Sequence, residues 1–320
     1  MASTLYSLDH LSQFDKRELV QELWSGYGEI VHLSNTQEVT KGAILKEIQL
    51  AAVNHHPRGW NTSNSHSRKL KSYQVEIEFY KNWSVKCNNA CRVPLYFDSS
   101  LEENNIQLLI EDLDQSGFSR RKSSLSFREA KLVLRWLAHF HATFMNEEPK
   151  GLWEEGTYWH LDTRPDEFKA MQDGELKRKA ELIANCLKHA KFKTILHGDA
   201  KVANFCFNKD LTEVAAVDFQ YVGGGCGMKD LAYFTGSCLT EQECDQYETE
   251  ILDFYFSELK TALQLSEKAI NVEALEQEWR ALYPFAWADF SRFLLGWSPT
   301  HQKLNNYALK NIKKALQQMS

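Results

Sequence analysis

The triplet His197-Gly198-Asp199 is followed five residues later by Asn204, and fourteen residues after that by Asp218-Phe219-Gln220. Two carboxylates and an amide in this order meet the needs of phosphoryl transfer. One carboxylate orients an attacking hydroxyl and takes its proton, while an amide oxygen and the second carboxylate hold Mg2+ on nucleotide phosphates. The step from Asp199 to Asn204 is short enough for one tight loop to present both. The run Glu213-Val214-Ala215-Ala216-Val217 has the apolar continuity of a short buried strand, which would deliver Asp218 at its end. Any one of these residues alone is as well explained by a cap or a turn. Their combination and order carry the inference.

Upstream residues supply the rest of such a site. Lys46 lies in Gly42-Ala43-Ile44-Leu45-Lys46-Glu47-Ile48, a β-like run whose apolar face is interrupted by one charge. A strand lysine steadied by a helix glutamate is the arrangement that grips nucleotide phosphates. Its candidate partner is Glu76, because Tyr73, Ile77 and Tyr80 share one helical face and Glu76 sits beside it; Glu78 is the rival. The segment Leu23 to Leu33 reads as a strand, a glycine turn and a returning strand. There Gly26 and Gly28 would let backbone N–H groups approach phosphate oxygens, with Ser25 donating from its hydroxyl. A plain hairpin turn explains that segment as well.

Taken together, these motifs resemble the aminoglycoside phosphotransferase and choline kinase superfamily, most nearly its ecdysteroid-kinase-like branch. The resemblance runs over nearly the whole chain, through Trp24-Ser25-Gly26-Tyr27-Gly28, Lys46, Glu76 to Tyr80, Leu109 to Leu113, the Asp199 and Asn204 loop, and Asp218-Phe219-Gln220 with Asp230-Leu231-Ala232. It implies an α+β, protein-kinase-like two-lobed fold, with a β-rich nucleotide-binding lobe over residues 1–112 and a larger helical catalytic and acceptor-binding lobe over 113–320. It further implies ATP and Mg2+ as cofactors, Asp199 as catalytic base, Asn204 and Asp218 as metal ligands, and Lys46 on the phosphates. Lys201 stands where protein kinases carry a lysine near the transferred phosphate, although a solvent-facing loop lysine is an equal reading. Gly198 replaces the arginine that reads a phosphorylated activation loop in protein kinases. If Gly223 to Gly227 is a flexible connection, the stretch before Asp230 is too short for a peptide-docking segment. The expected acceptor is therefore a small-molecule alcohol.

Composition bounds the alternatives. A net charge of −6 gives no reason to expect nucleic acid as a partner, and no run approaches the roughly 18 apolar residues of a membrane span. Met1-Ala2-Ser3-Thr4 lacks the basic and apolar regions of a secretory signal. Seven cysteines, an odd number, read as buried thiols in a cytoplasmic protein rather than a disulfide frame. Cys87 and Cys91 have no matching second pair to make a zinc site, and Cys226 reads as a small loop residue. His55, His56 and His66 fall in a polar stretch read as the linker before the Glu76 helix. Oligomeric state is not legible.

Further strands are expected over Arg92 to Phe97 and Ile106 to Ile110, with Glu111-Asp112-Leu113 as a hinge. A capping box at Ser126 and Glu129 opens a helix whose Val133, Leu137, Phe140 and Phe144 form one stripe, expected beneath the Asp199 loop. His139 and His141 are given packing roles within it. The region from Leu152 to His189 reads as mostly helical, as do Glu241 to Leu263, Val272 to Leu295 and Lys303 to Gln318. Tyr283, Phe285, Trp287, Phe290, Phe293 and Trp297, with Asp289 among them, would wall a pocket for a cationic head group or a flat apolar alcohol. Ordinary helix packing explains them too. The rival to an enzyme is a catalytically silent kinase-like protein that binds nucleotide and regulates or scaffolds; the joint presence of Lys46, Glu76, Asp199, Asn204 and Asp218 argues against it.

Overall fold

The computed structural model describes residues 6–23, 27–35, 42–49, 63–102, 105–266 and 268–319. Two compact units are formed, one from Met1–Asn88, Arg92–Arg120 and Cys206–Gln220, the other from Asn89–Cys91, Arg121–Phe205 and Tyr221–Ser320. The segment carrying Asp218 thus belongs with the N-terminal unit despite its distance in sequence.

The first unit is built on an antiparallel sheet of β1 (Lys16–Glu22), β2 (Gly28–Ser34), β3 (Ala43–Gln49), β4 (Tyr96–Leu101) and β5 (Asn105–Glu111), in spatial order β1-β2-β3-β5-β4. Strand residues alternate between faces. Ala43 and Leu45 of β3 therefore join Val31, Leu33 and Leu109 in a core that Tyr6, Leu8 and Phe97 cover. Lys46, opposite Ile30 and Leu108 in register, points to the other face. The strand expected from Leu23 instead ends at Glu22, and every residue of β1 is exposed, so it has no apolar alternation to read.

Helix α1 (Ser63–Glu78) begins well before Tyr73 and includes His66, whose ring nitrogen lies 2.9 Å from the Tyr27 hydroxyl. The linker reading of His66 is thereby corrected; His55 and His56 lie outside the described residues. A π-helical turn, Phe79–Trp83, continues α1 and buries Phe79, Tyr80 and Trp83.

The second unit is mainly helical. Helix α2 (Phe127–Thr143) has the full capping box at Ser126 and Glu129, and its Val133, Leu137 and Phe140 are buried. It is followed by α3 (Pro165–Ala170), α4 (Glu175–Arg178), α5 (Ala180–Lys188), α6 (Met228–Cys238), α7 (Glu241–Leu265), α8 (Val272–Trp297) and α9 (Asn306–Gln318). Helix α2 packs on α7, and α8 packs on α3, α5, α6 and α9. The stretch from Leu152 to Arg164 holds one short 3-10 turn, Leu161–Thr163, rather than the helix expected there. Lys303 precedes α9 instead of opening it.

Short strands complete the scaffold: β6 (Thr194–Leu196), β7 (Phe205–Phe207), β8 (Val214–Ala216) and β9 (Gly223–Gly225). Strand β9 pairs antiparallel with β6 and is buried throughout. The flexible connection expected over Gly223 to Gly227 is thus an ordered strand leading into α6. Cys226 beside it is buried, and burial pushes its thiol up to about 12, which leaves no thiolate at neutral pH. Among the described residues no helix is long and apolar enough to cross a membrane.

Candidate active site

In the first unit, the inner face of β3 brings Lys46 against α1. Its ammonium lies 2.6 Å from Glu76 Oε2, and both side chains are buried. Glu78 points elsewhere and accepts from Asn82 at 2.9 Å. Asp218 follows β8, and its Oδ1 stands 3.9 Å from the same ammonium. The Asp218 backbone is left-handed, at φ 69°, a conformation uncommon for a non-glycine residue. Two contacts hold it there. The Phe219 ring stacks on Phe79 at 3.9 Å, and Gln220 Nε2 donates to Asp218 Oδ1 at 2.8 Å. Such strain, where surroundings enforce it, is characteristic of functional sites.

Lys69, two helical turns before Glu76, enters the same cluster. It donates to Gln220 Oε1 at 3.0 Å and lies over the Tyr73 ring at 4.8 Å. Burial and the neighbouring Lys46 lower its ammonium to about 8. Its spacing of seven from Glu76 is the signal that places it on the Lys46-facing side.

In the second unit, β6 delivers His197-Gly198-Asp199. Gly198 has φ 81°, and a Cβ there would stand 1.9 Å from the Tyr221 carbonyl oxygen, so no side chain is accommodated. The loop is anchored by Asp230 of α6, which is fully buried. Its Oδ2 accepts from His197 N at 2.6 Å and its Oδ1 from Gly198 N at 3.0 Å. His141 of α2 adds a third contact to Asp230 at 3.2 Å and meets Tyr255 with its other nitrogen at 2.7 Å. The Trp136 ring of α2 lies edge-on to His197, which places α2 against this loop.

Asp199 and Asn204 are joined directly. Asn204 Nδ2 donates to Asp199 O at 2.8 Å and to Asp199 Oδ2 at 3.0 Å. With the amide nitrogen fixed by two acceptors, the amide oxygen is turned away from Asp199 and is left as an acceptor. Lys201 Nζ pairs with Asp199 Oδ2 at 2.9 Å while remaining over a third exposed, so it is neither a purely solvated nor a buried lysine. Tyr233 lies close enough to Asp199 to feel its charge, and Tyr158 meets Tyr233 hydroxyl to hydroxyl at 3.2 Å. Burial, with Asp199 nearby, raises both phenols above their usual range, so both stay protonated.

The glycine segment is only partly described: Ser25 and Gly26 lie outside the described residues. Gly28 opens β2, and a Cβ there would stand 1.9 Å from the Glu47 carbonyl oxygen. Strand crowding alone therefore accounts for that glycine. At the expected hinge, Glu111 is held by Arg92 at 2.5 and 2.6 Å and by Leu95 N at 2.9 Å, a structural role for its side chain. Asp289 is also committed, to Arg292 at 2.9 Å and Lys229 at 3.6 Å.

The geometry separates the two glutamates by experiment. Should the site transfer phosphate, as its motifs imply, Lys46→Met is expected to lower that activity about 100-fold or more, as loss of one positioned charge-stabilising donor does. Glu76→Gln should fall in the same direction by less, and Glu78→Gln should be near normal. A Glu78→Gln defect matching Lys46→Met, with Glu76→Gln silent, would refute the pairing.

A five-stranded sheet unit with a buried lysine–glutamate pair and a larger helical unit carrying the Asp199 loop define a kinase-like α+β fold. The chain belongs to the ecdysteroid kinase-like family, whose family model matches residues 56–152 and 151–267. Comparison with curated protein sequences gives no match. Among solved structures, a microcompartment-associated aminopropanol kinase is similar at 16% identity, covering 96% of this chain and 92% of its own, with a TM-score of 0.51. A Plasmodium vivax ethanolamine kinase is similar at 11% identity, covering 96% of this chain and 84% of its own, also with a TM-score of 0.51. An aminoglycoside phosphotransferase from Streptomyces rimosus, solved with ADP and streptomycin, is a more distant match at 12% identity, 85% and 92% coverage and a TM-score of 0.46. The fold is thus one shared with small-molecule kinases.

Proposed function

We propose that this chain is an ATP- and Mg2+-dependent kinase that transfers the γ-phosphate to a hydroxyl of a small-molecule acceptor. The observation that carries this reading is the buried Lys46–Glu76 pair with the Asp218 carboxylate 3.9 Å from the same ammonium. That pair must be formed for phosphates to be gripped in kinase-type sites. A silent scaffold would have no need to keep two buried charges and a left-handed Asp218 in register.

The residues fit the implied metal. The Asn204 amide oxygen, turned outward by its two donor contacts, and the Asp218 carboxylate are hard oxygen donors of the kind Mg2+ takes. Mg2+ bound by Asn204 and Asp218 would neutralise phosphate charge. On this reading Lys46 donates to a phosphate oxygen and Glu76 fixes its direction. Asp199 receives the acceptor hydroxyl and takes its proton as that oxygen bonds to the γ-phosphorus and the bond from phosphorus to the departing ADP oxygen breaks. Lys201 holds positive charge next to that carboxylate, and the Asn204 amide fixes its orientation.

ATP alone should stabilise the protein weakly, because Asp218 and the phosphates repel each other. With Mg2+ at saturating ATP the gain should reach about 2–3 kcal/mol, a shift of several degrees in melting temperature. Asp218→Asn should remove the metal-dependent part. Equal shifts with and without Mg2+ would exclude the proposed metal ligands.

A further inference from the structure

Lys69 has no part in the kinase site as read above, although it is built into the Asp218 cluster of the first unit. Lys69, Tyr73 and Glu76 follow one another by steps of four and three residues and so share one side of α1. From that side Glu76 takes the Lys46 ammonium at 2.6 Å. Two turns earlier, Lys69 Nζ donates to Gln220 Oε1 at 3.0 Å, with the Ser72 hydroxyl 3.3 Å from the same oxygen. Gln220 Nε2 in turn donates to Asp218 Oδ1 at 2.8 Å. Both ammonium groups lie over the Tyr73 ring, Lys46 at 5.6 Å and Lys69 at 4.8 Å from its centre.

This chain of contacts has only one direction. Lys69 brings donors and the Asp218 carboxylate brings acceptors, so the Gln220 amide turns its oxygen to α1 and its nitrogen to Asp218. A carboxylate at residue 220 would accept from Lys69 but would set a second negative charge within hydrogen-bonding distance of Asp218. An apolar residue would remove the donor from Asp218 Oδ1. That donor matters because the Asp218 backbone stands at φ 69°, a conformation its neighbours must impose. The arrangement is unfavourable for Lys69 itself. It is partly buried, and burial followed by the charge of Lys46 lowers its ammonium to about 8. Packing alone would be served as well by an uncharged side chain there.

We propose that Lys69 and Gln220 are positioning residues for the Asp218 carboxylate: Lys69 orients the Gln220 amide, and the amide aims Asp218 at the metal. Helix α1 then serves both sides of the site in the first unit. Glu76 directs the lysine that grips phosphate, and Lys69, through Gln220, directs the carboxylate that binds metal. The inference rests on the reading of Asp218 as a metal ligand. Neither Lys69 nor Gln220 touches the metal; their effect passes through Asp218. Removing a hydrogen-bonding partner that orients a metal ligand typically costs about 10–100-fold in metal affinity.

The test uses the full chain with the non-hydrolysable analogue AMP-PNP, and Mn2+ in place of Mg2+ so that bound metal is read by electron paramagnetic resonance. Lys69→Met and Gln220→Met should each weaken Mn2+ binding to the AMP-PNP-loaded protein by about tenfold. AMP-PNP binding measured in EDTA should be unchanged. Because Lys69 acts through Gln220, the double variant should be no worse than Gln220→Met alone. The melting temperature of unloaded Lys69→Met should not fall, since the substitution removes a cation near Lys46. Backbone amides of residues 217–220 should exchange faster in both metal-free variants. Unchanged Mn2+ affinity in the two single variants would overturn the proposal, and so would additive losses in the double variant. An equal loss of AMP-PNP binding with and without metal would make Lys69 a phosphate contact instead. A lower unloaded melting temperature with normal Mn2+ binding would make it a structural residue. If the unaltered chain bound no Mn2+ with AMP-PNP, the kinase reading would fall, and exchange at residues 217–220 would still decide whether Lys69 orders Asp218.

Discussion

Asp199→Asn is expected to lose about 10²–10⁴-fold in turnover, the contribution of a positioned general base, while Mg·ATP still stabilises the protein. The amide oxygen can accept hydrogen bonds but cannot take a proton from an acceptor hydroxyl. Its neighbours add a control. Asp199 Oδ2 accepts from both Asn204 Nδ2 and Lys201 Nζ, so an amide at residue 199 satisfies at most part of that arrangement. If the variant also turned Asn204, the metal-dependent stabilisation by ATP would fall with turnover. Turnover lost with stabilisation retained isolates the proton-accepting role. If Asp199 were only a turn former, Asn would replace it well, because both residues favour the same local hydrogen bonds. ADP release with an accepted alcohol, set beside calorimetric ATP binding, gives the answer. Near-normal turnover in the variant would end the assignment of Asp199 as base.

The residues proposed to carry the chemistry were legible because that chemistry would dictate their spacing. The separation of Asp199 from Asn204 determines whether one loop can join them, and the structure joins them by two hydrogen bonds. The choice of Glu76 over Glu78 followed from helical phase. Other features have no comparable trace. Strand β1 is exposed at every position, so it lacks the alternation by which a half-buried strand is read. Strand β9 is three consecutive glycines, which have no strand preference of their own; pairing with β6 and burial make it a strand. Lys303 and Tyr233 lie seventy residues apart, and only the packing of the segment before α9 sets one over the other. Of the aromatic residues around Asp289, Phe290, Phe293 and Trp297 pack together with Trp159 and Tyr233, while Trp287 meets Tyr307. Their partners Lys229, Arg164 and Lys303 come from three other segments, which no spacing in the sequence connects.

Asp230 shows the same limit at a residue on which the whole loop depends. The sequence marks Asp230 only as part of the Asp230-Leu231-Ala232 motif near the start of an apolar helix, a position where the helix dipole alone would favour a carboxylate. In the structure its two oxygens hold His197 N, Gly198 N and the His141 ring, all buried. Asp230→Ala would leave the two backbone donors without an acceptor, each at about 1–3 kcal/mol, and would strip His141 of a partner. The expected loss is about 3–5 kcal/mol in unfolding free energy, the range typical when one side of a buried polar pair is removed. Asp199 should therefore lose its fixed position as well, and turnover should fall further than the unfolded fraction explains. Urea unfolding followed by two independent probes, with turnover measured well below the transition, separates the two losses. A change under about 1 kcal/mol, within the range of an ordinary surface substitution, would show that the loop is held by something other than Asp230.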